Sequence, residues 1–145
     1  HSYGAFATAN FLAHTPFFKA GIAGDGAYNR SLTPQGFQAE PRNIWEAPHV
    51  YIEMSPFFKA DQINTPLLMY HGGDYNNTWT FPFQSRRMIQ ALQGLGKNAV
   101  LYEYPFESHT PRAIENNLDM WARWLAWFDR YVKGDEGQPV IGANP

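Results

Sequence analysis

The run Leu67-Leu68-Met69-Tyr70-His71-Gly72 constrains the chain more than any other stretch. Six residues without Asp, Glu, Lys or Arg, preceded by Thr65-Pro66 and closed by glycine, read as a strand buried on both faces, the pattern of a parallel sheet. After a loop over 73–80, Pro82 suits a first helical position. Phe81, Ser85, Met88, Leu92 and Leu95 then line one helical face, and Gly94 and Gly96 supply stop signals. Residues 98–104 give a second strand, ended by Pro105. Strand, helix and strand in this order predict parallel strands joined by a right-handed crossover.

The flanking segments extend that α/β pattern. Residues 3–14 are Ala-rich and free of Pro, so they suit a helix, stopped at Thr15-Pro16 because the residue before Pro avoids the helical region. A short apolar strand is expected at 20–23. From 25 to 65, repeated Gly and Pro leave room only for short helices, at 42–47 and 50–54; so long an irregular stretch marks a functional surface. In the last helix Thr110 suits the N-cap and Pro111 the first turn. Ile114, Leu118, Trp121, Leu125, Phe128 and Val132 form a stripe of helical period, widened by Trp124, Trp127 and Tyr131. The pattern predicts a helix buried deeply or on two sides, its tryptophans in the core.

Ligands of parallel α/β sheets bind beyond the carboxyl ends of the strands. Three positions fall there: Ser2, the loop after His71-Gly72, and the loop containing His109. His1-Ser2-Tyr3-Gly4 reads as the trailing part of a G-x-S-x-G nucleophile elbow, whose tight turn calls for small flanking residues. Acyl transfer by serine needs a base for the hydroxyl proton and an acid that orients the base. Ser2, Asp74 and His109 stand in the chain order Ser, acid, His. The other histidines fit less well: His14 ends a helix, His49 lies in the irregular stretch, and His71 sits in the strand end, where a structural hydrogen bond is expected. The backbone N–H of Tyr3 is the candidate oxyanion donor.

The bulk numbers remove other classes. A net charge of −2 over 145 residues, with pI near 6.2, offers no basic patch, so no nucleic-acid partner is expected. The apolar runs are too short to span a membrane. Cysteine is absent, and neither a metal-ligand cluster nor a Gly-rich phosphate loop is present, so no metal or cofactor is expected. Because the chain opens inside a motif, it reads as the C-terminal portion of a longer protein. Residues 1–133 then belong to a catalytic domain and 134–145 to a flexible polar tail. Such a piece lacks the strand leading into Ser2, so it is not expected to be a stable active enzyme alone.

Across nearly the whole chain the sequence resembles the C-terminal half of the catalytic domain of prolyl oligopeptidase family serine peptidases. Within that family it is similar to the branch of glutamyl endopeptidases and related bacterial peptidases. The resemblance rests on Ser2-Tyr3-Gly4-Ala5-Phe6, the stretch from Gly26-Ala27-Tyr28-Asn29-Arg30 through Gly36-Phe37-Gln38, and Trp45-Glu46-Ala47. Met54-Ser55-Pro56-Phe57, His71-Gly72, Asn76-Asn77-Thr78, Gln84-Ser85 and Glu107-Ser108-His109 carry the rest. It implies the C-terminal part of an α/β-hydrolase fold, with the N-terminal strands absent from this chain. It also implies a preceding β-propeller as partner within the same protein, a peptide substrate, Ser2 as nucleophile and His109 as base. The family pattern puts the acid four residues after the His of the His-Gly pair, which is Tyr75 here; Asp74 stands one position earlier. Three readings stay open: the loop shifts so that Asp74 serves, the enzyme is severely weakened, or Tyr75 is an error in the sequence. Gly24-Asp25 replaces the Arg-Ser often found in relatives, leaving Arg30 and Arg42 as cations for an acidic substrate side chain or for structural ion pairs. An esterase or acyl-peptide hydrolase, and a hydrolase-fold binding protein with impaired catalysis, are the competing functions.

Overall fold

The computed structural model describes residues 1–74 and 77–134 and centres on β2 (Leu67–Gly72), buried throughout. β2 pairs in parallel with β1 (Gly21–Gly24) on one side and β3 (Ala99–Tyr104) on the other, Leu67 lying opposite both Gly21 and Ala99. Side chains alternate across a strand, so Leu67 and Met69 face one layer while Leu68 and Tyr70 face the other. The first layer holds α1 (Tyr3–His14), a 3-10 segment (Pro56–Gln62) and α3 (Phe83–Gly94). Its core joins Ala5, Ala9, Leu12, Ile63, Met88 and Leu92 to the sheet. Alanines at 5 and 9 keep α1 close to its neighbours, which is why an Ala-rich helix lies here. The second layer is α4 (Ile114–Phe128), continued by a π-helical turn (Asp129–Lys133). No helix among the described residues is long and apolar enough to cross a membrane.

The α/β order expected from the sequence is the order observed, with local corrections. β1 runs one residue later than 20–23. No helix forms over 42–47. There the Asn43 side-chain oxygen accepts from the N–H groups of Trp45 and Glu46 at 3.0 and 3.1 Å, and Glu46 returns a bond to the Asn43 N–H at 2.8 Å. These local bonds close a turn and compete with the helix. The helix expected at 50–54 is α2 (Pro48–Glu53), which starts earlier because Pro48 is pre-set for the first turn. Short 3-10 segments at Arg30–Leu32 and Pro56–Gln62 were not foreseen.

The larger correction concerns α4. Ile114, Leu118, Trp121, Leu125, Phe128 and Val132 do form a stripe of helical period, but it faces outward, with Trp121 58% exposed. Met120, Trp124, Trp127 and Tyr131, one position round the helix, pack on the sheet instead, and Trp127 is 1% exposed. Periodicity locates an apolar face without saying which of two adjacent faces meets the sheet. The start of α4 also differs: the cap is not Thr110. The Glu107 carboxylate accepts from the N–H groups of Arg112 and Ala113 at 2.7 and 2.9 Å and from Asn116 Nδ2 at 2.6 Å. These donors hold its pKa below the ordinary carboxylate value, and they satisfy the helix start three residues later than expected.

Two glycines bring that segment over the sheet. A Cβ on Gly72 would stand 2.2 Å from the Ser108 carbonyl oxygen, and one on Gly73 would stand 2.7 Å from Pro105 Cα. Backbone meets backbone at both points, which only glycine permits. The N–H of Asp74 completes the contact by donating to the Glu107 carbonyl at 2.9 Å.

Truncating the two tryptophans of α4 separates its faces. In urea unfolding Trp127→Ala is expected to cost about 3–5 kcal/mol, and Trp121→Ala less than about 1 kcal/mol. Similar losses for both would show that the stripe, not the Trp127 face, carries the packing.

Candidate active site

Ser2 stands at the turn into α1 with φ 56° and ψ −119°, a conformation a non-glycine residue adopts only when its surroundings hold it. The hold is visible in the backbone. The Ser2 N–H donates to the Gly24 carbonyl at 2.8 Å, and its own carbonyl accepts from Ala5 and Phe6 at 3.0 and 3.2 Å. This geometry aims the side chain off the end of the sheet. Crowding does not explain Gly4, however: a Cβ there meets nothing within 4 Å among the described residues. The N–H of Tyr3, first residue of α1, donates to no acceptor among the described residues.

His109 comes to Ser2 on the loop that Gly72 and Gly73 admit. Its Nε2 lies 3.0 Å from Ser2 Oγ, and its Nδ1 lies 3.0 Å from Thr80 Oγ1. Burial lowers its pKa, so the neutral imidazole is favoured. A neutral imidazole against a hydroxyl can accept its proton.

His71 is structural, as its place in the strand suggested. Its Nε2–H donates to the Thr80 carbonyl at 2.7 Å and its Nδ1 accepts from Ser85 Oγ at 2.7 Å. Burial depresses its pKa to about 4, keeping it neutral. His71 thus fixes Thr80, and Thr80 faces His109. His14 binds the Asn10 carbonyl and Lys59, and His49 is exposed; neither reaches Ser2.

The carboxylate of Asp74 is exposed and makes no hydrogen bond or ion pair among the described residues. Tyr75 and Asn76 lie outside those residues, as does the expected tail after Gly134. Arg42 pairs with Glu40 at 2.6 Å on the surface. Arg30 differs: it is 1% exposed, and its guanidinium makes no hydrogen bond or ion pair among the described residues. It lies over the rings of Phe37, Phe6 and Tyr3, at 4.4, 4.9 and 5.9 Å from their centroids. Burial lowers its pKa to about 10, which leaves it charged near neutrality. Beside it a cavity of about 230 Å³ is lined by Tyr3, Phe37, Gln38, Ala39, Glu40, Val50 and Met54.

Two residues here escaped sequence reasoning. Thr80 carries no signal of its own, since one threonine in a loop resembles any other. Asp25, fully buried with its carboxylate between His1 and His71, did carry one: a carboxylate directly after the glycine that closes β1.

With this geometry in hand, comparison with known proteins is specific. The prolyl oligopeptidase family model matches residues 1–135. Two curated relatives, each described as "Probable glutamyl endopeptidase, chloroplastic", from Oryza sativa subsp. japonica and Arabidopsis thaliana, are 49% identical over 132 residues. That alignment covers 90% of this chain, which spans only 14% of the relatives' length. Among solved structures, an acylaminoacyl peptidase in complex with Z-Gly-Gly-Phe-chloromethyl ketone matches with TM-score 0.82 at 24% identity, over 96% of this chain and 24% of the other. Puromycin hydrolase matches with TM-score 0.78 at 21% identity, over 97% and 22%. These likenesses establish the fold as part of the α/β-hydrolase type. The chain belongs to the prolyl oligopeptidase family.

Proposed function

We propose that this chain carries the nucleophile and general base of a serine peptidase. The observation that carries the reading is Ser2 Oγ at 3.0 Å from His109 Nε2, on an elbow with positive φ. His109 takes the Ser2 proton as the oxygen attacks a peptide carbonyl, then returns it to the leaving amine. For Nε2 to accept, Nδ1 must hold a proton, and Thr80 Oγ1 is the acceptor that steadies it. The Tyr3 N–H, unspent in α1, receives the developing oxyanion. A second donor, the strand entering Ser2 and the propeller implied by the family resemblance belong to the rest of a longer protein.

Asp74 is the candidate acid. Its backbone N–H bonds the Glu107 carbonyl, two residues before His109, so its loop is held against the loop that carries the imidazole. Arg30 is the candidate reader of an acidic substrate side chain, in keeping with the glutamyl endopeptidase description of the curated relatives. A buried cation with no anion nearby is costly, and a substrate carboxylate entering beside Tyr3 supplies the missing charge.

Three measurements on the full-length protein test this. A fluorophosphonate should add to Ser2 and not to the Ser2→Ala variant, as mapped by peptide mass; a folded protein with no adduct on Ser2 refutes the nucleophile. If Asp74 is the acid, Asp74→Asn should lower kcat by about 10⁴, whereas an unchanged kcat assigns that role elsewhere. Arg30→Met should cut kcat/KM for cleavage after Glu by roughly a hundredfold while sparing the Gln analogue. An unchanged Glu-to-Gln ratio would make Arg30 structural.

A further inference from the structure

The Asp25 carboxylate is fully buried at the carboxyl end of β1, on a residue held at φ 51°. Its N–H donates to the Tyr70 carbonyl at 3.0 Å, and its Oδ1 accepts from the Gly72 N–H at 2.9 Å, so backbone and side chain both clasp β2. Oδ2 accepts no hydrogen bond among the described residues. The groups around it come from three elements. β2 contributes His71, whose Nε2 is 3.6 Å from Oδ1 but is spent on the Thr80 carbonyl, and the phenol of Tyr70. The segment after β1 contributes the phenol of Tyr28. The elbow contributes His1, whose Nε2 stands 3.7 Å from Oδ2. His71 is kept neutral and both phenols are pushed upward, so among the described residues the side chain able to carry positive charge beside Oδ2 is His1.

His1 faces the other way as well. Its Nε2 lies 2.5 Å from the backbone carbonyl oxygen of His109, and the two imidazole rings are 4.6 Å apart. A carbonyl oxygen only accepts, so this contact requires the proton of His1 to be on Nε2. The neutral ring has two tautomers, and a carboxylate on the Nε2 side selects the one that donates. The alternative tautomer would set a lone pair against the carbonyl and push the His109 loop away from Ser2.

We propose that Asp25 is a positioning residue of the active site, whose carboxylate fixes the Nε2–H form of His1 so that His1 holds the main chain of His109 against Ser2. This role rests on the reading of Ser2 and His109 as nucleophile and base. It also makes activity respond to pH in a defined sense. Burial pushes the Asp25 pKa up to about 7, countered in part by the Gly72 N–H, so its negative charge is complete only above neutrality. The folded-state value lies above the ordinary 3.8, so the folded protein holds this proton to higher pH than the unfolded chain. Stability from this group is therefore lost as pH rises from about 4 through 7. Asparagine keeps an acceptor for Gly72 without that loss.

The test is the rate of fluorophosphonate addition to Ser2 in the full-length protein between pH 5.5 and 9, with thermal unfolding at pH 8. Asp25→Asn should label about tenfold more slowly at pH 8, be at least as stable as the parent there, and lose the part of the pH profile centred near 7. His1→Gln supplies a side-chain N–H that does not depend on a tautomer, so adding Asp25→Asn to it should slow labelling little further. Parental rates and profile in Asp25→Asn, independent effects of the two substitutions, or lower stability of Asp25→Asn at pH 8 would each overturn the role. Absence of a Ser2 adduct on the unmodified protein would instead refute the underlying nucleophile reading, and the Asp25 role with it.

Discussion

The site depends on one close approach of backbone to backbone, where the loop after β3 lies on the end of β2. Any side chain at Gly72 would collide with the carbonyl oxygens of Ser108 and Glu107. Without that contact the loop stands off the sheet, and His109 cannot lie 3.0 Å from Ser2 Oγ. Everything nearby reinforces it: the Asp74 N–H bonds Glu107, Glu107 caps α4, and Asp25 receives the Gly72 N–H. A hydroxyl and an imidazole 107 positions apart in sequence are thus joined by the packing of two loops on one strand end.

The polar groups beneath the pair form a support with a direction. Ser85 gives its proton to His71, His71 donates to the Thr80 carbonyl, and the Thr80 hydroxyl meets His109 Nδ1. Each member is satisfied, which makes the chain rigid in a low-dielectric interior. Arg30 and Asp25 are buried ionisable groups that each leave a side-chain atom without a hydrogen-bond partner among the described residues. Burying such groups opposes stability, which fits the proposed roles of Arg30 in reading substrate and of Asp25 in positioning His1.

Much of this was legible in the sequence, for physical reasons that differ by residue. β2 announced itself because a strand buried on both faces must be apolar throughout. Ser2 and His109 were legible because parallel sheets place loops at one edge, and chain order then selects His109 over His14, His49 and His71. Less legible was anything decided by rotation or by tertiary capping. The stripe of α4 had the right period, yet Trp127 and Met120, one position round, face the sheet. Thr110 looked like a cap, but Glu107 reaches the helix start from a buried place that no local pattern encodes. Arg30 illustrates the same limit, since only the fold reveals that its charge is buried among rings with no anion against it among the described residues.

The proposed chemistry runs through a covalent acyl intermediate on Ser2, with His109 as its base. Rapid quenching of the full-length protein with an activated peptide ester, followed by peptide mapping, tests this most directly. An acyl group is expected on Ser2 within the first turnover and none in the His109→Ala variant. Product release without any acyl-Ser2, or equal acylation when His109 is replaced, would contradict it.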